Sequence, residues 1–308
     1  MSRAALTVGL HPYSAMKWLA VAPVIALLCG CVTLSTDPRA VVFAPGADPR
    51  VTTLKCDDVA RALQGAADSD EAKSLGRRPF RLLTWNIHKE GDAGWQQDLS
   101  ALAGENDLVL LQETVLQPSL RGILGDAGFS WVMASSFVYE ADDVGVLTAT
   151  RVAPVASCTQ SAMEPWIRIP KSTVISWLPI VRAQATADVA GARETLAVVN
   201  IHAINFELFP DTYRAQLRAL ADALDGHRGP IILAGDLNTW NDERDRIVAE
   251  IAARLGLTEL TLQPDRRAVF LGHHLDHIFV RGLRPIDVTA LPVTSSDHNP
   301  VAATLAIP

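Results

Sequence analysis

Apolar residues in this chain come in short uninterrupted runs, and several runs stop at a residue able to do chemistry. Residues 107–112 contain Leu-Val-Leu-Leu, residues 230–234 contain Ile-Ile-Leu, and residues 195–201 contain Leu-Ala-Val-Val. Runs this short and this continuous predict strands covered on both faces. Further strands are predicted over 80–87, 129–134, 144–150, 173–178, 275–280, 286–291 and 301–307. A different period governs 211–224, where Tyr213, Leu217, Leu220 and Leu224 recur on one helical face and Asp211 is placed to cap the start. Shorter helices are predicted over 95–102, 117–126 and 244–255, the last ended by Gly256. Residues 57–73 carry Val59, Leu63 and Ala66 or Ala67 on one face of a helix. Between 32 and 54, Pro38, Pro45, Gly46 and Pro49 forbid a long regular element, so a tether and an irregular approach are expected. Apolar strands mixed with amphipathic helices predict an α/β sandwich, sheets inside and helices outside.

The 308 residues, 49% of them apolar, suffice for one large core or two smaller ones. The chemistry-bearing residues run from Asn86 to His298, which favours one catalytic body over 79–308 behind an N-terminal appendix. That appendix has the marks of a targeting segment. A short basic region at Met16-Lys17 precedes an apolar stretch over 18–28, and Leu28-Cys29-Gly30-Cys31 matches a lipobox. The expectation is a lipoprotein signal over 1–30, a lipid on Cys31, and a tether with a short helical segment over 31–78. An uncleaved anchor helix and an ordinary secretory signal are the competing readings, although the apolar stretch is short for a membrane span. Val32, not an acid, follows Cys31, so a periplasm-facing position on the outer membrane is expected, with the protein a monomer.

Without its first 30 residues the chain carries 25 basic and 34 acidic side chains, a net of −9. Non-specific nucleic-acid binders show the opposite balance, because phosphate contacts drive their affinity. A local basic patch remains compatible with this count. Cys56 and Cys158 are left once Cys29 is removed and Cys31 lipidated. They form either a disulfide tying the N-terminal segment to the body or two separate buried thiols.

The candidate site residues sit where the strands end. Asn86 can hold a phosphate oxygen or a water, or simply cap a turn. Glu113 directly follows a buried run, where a carboxylate is costly unless paired or bound to a cation. Asp236 and Asn238 follow Gly235, and at i and i+2 of an extended chain both can face one substrate. His202, Asp276 and Asp297-His298 add imidazoles and carboxylates; an Asp beside a His fixes its tautomer and raises its pKa. Hard oxygen donors suit Mg²⁺ or Mn²⁺ and imidazoles suit proton transfer, the combination needed to cleave a phosphate ester. His273, His274 and His277 invite a zinc reading, which no Cys or spaced His companion supports.

Taken in order, Thr84-Trp85-Asn86-Ile87, Leu111-Gln112-Glu113, Asn200-Ile201-His202, Gly235-Asp236-Leu237-Asn238, Leu275-Asp276-His277-Ile278-Phe279 and Ser295-Ser296-Asp297-His298 resemble the motifs of the endonuclease/exonuclease/phosphatase superfamily, the DNase I-like fold. The resemblance covers 80–307, and the later motifs look like a bacterial subgroup. It implies a four-layer α/β sandwich, two mixed sheets face to face with helices outside. It implies a metal-dependent phosphoesterase in which Glu113 resembles the principal Mg²⁺ ligand, Asn86 an assisting one and Asp297 a second metal-site acid. Asp236 and Asn238 resemble the pair that orients the nucleophile, His298 the histidine held by Asp276, and His202 a phosphate-contacting or acid histidine. The branch that repairs abasic DNA carries tyrosine where His202 stands, which disfavours it here. The expected substrate is a phosphodiester, in nucleic acid, a phospholipid headgroup or a soluble ester. A phosphomonoesterase and a non-catalytic binding lipoprotein are the alternatives.

Overall fold

The computed structural model describes residues 32–33, 39–65, 74–76, 78–182 and 194–308. The expected signal segment, Cys31 and residues 66–73 of the expected helix lie outside the described residues. In chain order the elements begin with β1 (Val32–Thr33), β2 (Arg39–Phe43), β3 (Arg50–Thr52), α1 (Val59–Gly65), β4 (Phe80–Asn86), α2 (Trp95–Glu105), β5 (Leu108–Val115) and α3 (Pro118–Asp126). They continue with β6 (Ser130–Tyr139), β7 (Asp142–Thr150), β8 (Ala156–Met163), β9 (Pro170–Pro179), β10 (Thr195–His202), α4 (Asp211–Ala223) and β11 (Ile231–Asp236). The last are α5 (Asp242–Leu255), β12 (Thr258–Glu259), β13 (Val269–Phe270), β14 (His273–His274), β15 (Asp276–Arg281), β16 (Arg284–Ala290) and β17 (Val301–Ala306).

One sheet has the order β16-β17-β4-β5-β7-β6-β2-β3, with β1 also paired to β6; the other has the order β12-β15-β11-β10-β9-β8. Both are mixed, with β4–β5 and β10–β11 parallel. Alternation along each run explains why the runs are apolar throughout. Leu82, Leu108 and Leu110 face Leu178, Val198, Ile232 and Ile278 between the sheets. Their neighbours Leu83, Val109 and Leu111 turn outward and pack with Leu99, Leu120 and Leu124 of α2 and α3. On the far side, Val199, Ile201 and Leu233 pack with Leu217, Leu220, Ile247 and Val248 of α4 and α5. The result is four layers, helix–sheet–sheet–helix, as the resemblance implies. All four buried clusters draw on residues from Val41 onward, so the body holds its own core without the first 31 residues.

Two local expectations are corrected. Residues 39–52 are not a free approach but a hairpin, β2–β3, that extends the larger sheet through β6; Pro45 and Gly46 form its turn rather than ending regular structure. Asp211 is not the cap of α4, because it lies in the first turn. The cap is supplied by Glu207, whose carboxylate accepts from the backbone N–H of Thr212 (3.1 Å) and Tyr213 (2.7 Å). Gly235, the residue before Asp236, is a point of close backbone approach. It lies inside β11 at φ 138°, where a Cβ would stand 2.1 Å from the carbonyl oxygen of Ile201. Cys56 and Cys158 are joined as a disulfide across 102 positions, fixing the segment before α1 to β8.

Candidate active site

The strand directions bring four side chains to one end of the sandwich. Asn86 and His202 are the last residues of β4 and β10, and Asp236 is the last of β11. Asp276 opens β15 directly opposite Asp236. Glu113 arrives differently. β5 runs past it to Val115, and the β5–β7 pairing slips between Leu111 and Thr114. This bulge puts Glu113 at φ 52° and swings its side chain out of the sheet. His298 comes from the loop before β17, with its carbonyl accepting from the Trp85 indole (3.0 Å).

Hydrogen bonds then knit the two sheets across the site. Asn86 Nδ2 donates to Asp236 Oδ2 (3.0 Å), and His298 Nδ1 lies 2.7 Å from Asp276 Oδ2. Behind them, buried Gln112 donates to Asn200 Oδ1 (2.6 Å). The His202 Nε2 stands 3.8 Å from Glu113 Oε1 and 3.6 Å from Asp236 Oδ2. Asn238 is in the same cleft but not through an extended i, i+2 pair. The chain turns at φ 50° there, with the Asn238 N–H donating to Asp236 Oδ1 (3.0 Å) and Nδ2 to the Ala203 carbonyl (3.0 Å). Asp297 lies at the mouth, largely exposed, 3.9 Å from His88 Nδ1. All eight expected residues except Asp276 line one cleft of about 580 Å³; Asp276 supports it from beneath His298. The three histidines considered for zinc do not converge. His273 pairs with Asp245 (2.7 Å), His274 with Asp265 (3.2 Å) and His277 with Glu259 (2.7 Å).

Residues 83–298 match the Endonuclease/Exonuclease/phosphatase family. A UPF0294 protein of Vibrio vulnificus strain YJ016 is 34% identical over 268 residues, 87% of this chain and 91% of that protein. The chain belongs to the endonuclease/exonuclease/phosphatase family. Among solved structures of this hydrolase fold, the human Nocturnin catalytic domain with bound sulfate has a TM-score of 0.55 at 18% identity, over 76% of this chain and 96% of that one. A mannosyl-6-phosphatase of Bacteroides thetaiotaomicron has a TM-score of 0.53 at 16% identity, over 74% and 99%.

Burial and charge set the proton affinities in this endonuclease/exonuclease/phosphatase site. Burial alone would raise Glu113, but His202, Lys89 and Lys171 outweigh it and hold the carboxyl at about 2. Burial lifts Asp236 to about 6, with the His298 charge opposing and that of Asp276 assisting. Burial works against the His298 cation as well, yet the Asp276 carboxylate overcomes it and raises the imidazole to about 10. His202 goes the other way, pushed well below 6.5 by burial and by Lys171.

Three side chains that contact the cleft residues escape a reading of the sequence. Lys171 of β9 lies 2.8 Å from His202 Nε2, and burial lowers its own pKa. Its position after Pro170 in a Ser/Thr-containing strand gives no local signal. Lys89 pairs with Glu113 Oε2, reaching it from three consecutive left-handed residues, His88 to Glu90 (φ 48° to 60°). Such strain clusters where side chains must be held against backbone preference. Arg244, buried on α5, stacks on Tyr213 and Trp240 and donates to the carbonyls of Ile204, Asn205 and Asn238. A lone Arg in an amphipathic helix reads as solvated, and only its tertiary neighbours reveal it as the clamp on the cleft wall.

Proposed function

We propose that this protein is a divalent-metal-dependent phosphodiesterase, anchored in the cell envelope by a lipid on Cys31. The observation that carries the reaction is the convergence of Asn86, Glu113, His202, Asp236, Asn238 and His298 on one cleft from two sheets. The donor set fits a hard cation: Glu113, Asn86 and Asp297 offer oxygen only, and the Lys89 ammonium already rests on the ionised Glu113. Those three residues would hold Mg²⁺ or Mn²⁺, which supplies Lewis-acid neutralisation of the phosphate.

The chain's own groups divide the proton work. Asp236, at about 6, is ionised at neutral pH, with both oxygens aimed by Asn86 and by the Asn238 N–H. It orients the attacking water and takes its proton. His298, at about 10, is an imidazolium at neutral pH and stabilises the charge developing on the phosphate or the leaving oxygen. Lys171 and His202 bring a further cation and a neutral ring to the same phosphate. A cleft of about 580 Å³ leaves room for ester substituents on both sides of that phosphate, which favours diesters. The second reading, a phosphomonoesterase, is supported by the three cationic groups Lys89, Lys171 and His298 around one anion site, and by the fold shared with the mannosyl-6-phosphatase.

Purified residues 32–308 should hydrolyse bis-p-nitrophenyl phosphate with Mg²⁺ or Mn²⁺ and lose that activity in EDTA. Preference for p-nitrophenyl phosphate would select the monoester reading. Undiminished hydrolysis in a verified metal-free sample would sink the mechanism. For the anchor, Cys31→Ala should abolish palmitate labelling of the full chain in cells and release it from membranes; equal labelling excludes a lipid on Cys31. Density-gradient fractionation tests the outer-membrane assignment.

A further inference from the structure

Ten large hydrophobic residues are exposed among the described residues, and eight of them lie in three short segments around the mouth of the cleft. Trp166 is in the β8–β9 loop, Leu208 and Phe209 are in the loop after β10, and Phe270 and Leu271 are on the β13–β14 hairpin. Phe209 and Leu271 are the extremes, 72% and 71% exposed. Exposed apolar groups scattered singly need no explanation, but this many gathered on one rim do.

Their exposure is built into the loops. Glu164, fully buried, accepts from the backbone N–H of Asn205 (2.6 Å) and Phe206 (3.0 Å), tying the first segment to the second. The Glu164 backbone also closes its own loop, donating to Ile169 and accepting from Arg168, both at 3.1 Å. Arg244 donates to Asn205 from below, and Glu207 is committed to the start of α4. These bonds fix the backbone of the first two segments and leave their apolar side chains facing water, while the third segment is the tip of the β13–β14 pairing.

The entry of the chain lies at the same end. β5 is parallel to β4 and antiparallel to β7, and β7 is antiparallel to β6, so β6 ends where Asn86 and Glu113 lie. Val32 pairs with Tyr139, the last residue of β6. Tyr139 and Lys89, the partner of Glu113, line one cavity. A lipid on Cys31, one residue earlier, would therefore hold this end of the sandwich toward the bilayer.

We propose that the rim docks on a lipid bilayer and that the cleft takes the phosphoester headgroup of a membrane lipid. The headgroup assignment rests on the phosphoesterase reading; the docking does not. A second copy or a protein partner seated on the rim would close the cleft it surrounds, whereas a bilayer supplies apolar contact and substrate through one surface. The net charge of −9 gives no overall attraction to anionic lipid, so the exposed apolar side chains carry the docking and zwitterionic vesicles should suffice.

The test is sedimentation of residues 32–308, a body with its own core, with phosphatidylcholine vesicles. Association is expected, and Phe209→Asp and Leu271→Asp should each weaken it at least about tenfold, the scale of withholding one large apolar side chain from lipid. Ile286→Asp, at an exposed apolar position on the far strand β16, should leave it unchanged. No association, or equal loss in all three variants, overturns the proposal. So does a dimer that the Asp variants convert to monomer in the ultracentrifuge. Vesicle association without hydrolysis of any phosphoester would uphold docking and sink the catalytic reading. Hydrolysis of the soluble diester without association would do the reverse.

Discussion

Asp276→Asn isolates the contact on which the proposed charge of His298 depends. In the wild-type protein burial works against the cation, but the carboxylate 2.7 Å from Nδ1, helped by those of Asp236 and Asp297, outweighs it and takes the imidazole from 6.5 to about 10. At 1.36 kcal/mol per pKa unit, this favours the folded imidazolium by roughly 5 kcal/mol. A histidine raised in the folded state contributes its full stabilisation below the unfolded value near 6.5 and loses it as pH rises through about 10. Asparagine still accepts from Nδ1 but brings no charge. Burial then opposes the cation with only the charges of Asp236 and Asp297 left to support it, and the ring should titrate well below its wild-type value. The variant's penalty in chemical unfolding should therefore be larger at pH 6 than at pH 10, by roughly 2–5 kcal/mol. Hydrolysis at neutral pH should fall by at least about 10²-fold, the scale of a lost acid–base group. Unfolding curves across pH and an NMR titration of the His298 ring, both in EDTA, give the two readouts. A ring that still titrates near 10 in the variant, or a penalty equal at both pH values, would refute the reasoning.

Glu90 is buried, one oxygen accepts from the Val115 N–H, and burial raises its carboxyl to about 8. Wild-type stability should therefore fall as pH climbs from about 4.5 through about 8, and Glu90→Gln should remove that slope; parallel melting curves for the two proteins over pH 5–9 would contradict this. Removing the Cys56–Cys158 bridge by a double Ala substitution opens a loop of 102 positions and should cost roughly 3–5 kcal/mol in urea unfolding. An unchanged midpoint would mean that the segment before α1 is held by packing alone. Lys171→Met should slow turnover at least about tenfold, as loss of one preorganised charge does. It should also let the His202 ring titrate higher, because Lys171 adds to burial in holding it down; a His202 titration matching wild type would count against the contact.

The long strands were legible because each is covered on both faces, so hydrophobicity alone marks them. β4, β5, β10 and β11 fall where the apolar runs predict, within a few residues. β8, reading Ala-Ser-Cys-Thr-Gln-Ser-Ala-Met, was not legible. It is the edge of its sheet, half its residues meet solvent, and its composition is that of a loop. β2 and β3 were hidden by Pro45, Gly46 and Pro49, which fall between the two strands and belong to their connection. The carboxylates and imidazoles of the cleft were legible as an ordered set on strand ends. Glu207 and Glu164, which hold its wall, were not. Their meaning lies in backbone N–H groups that folding brings to them, and no spacing along the chain encodes that meeting.

The seam between the sheets has a consequence for how the protein fails. Asn86 with Asp236 and Asp276 with His298 each take one partner from either sheet, as does Glu113 beside His202. The site is thus a vernier for sheet registry. A slip between the two layers would part all three pairs, whereas each sheet's ladder and outer core lie within one layer. On heating, catalysis should vanish before circular dichroism records any loss of strand, and on refolding it should return last, once the two halves have locked.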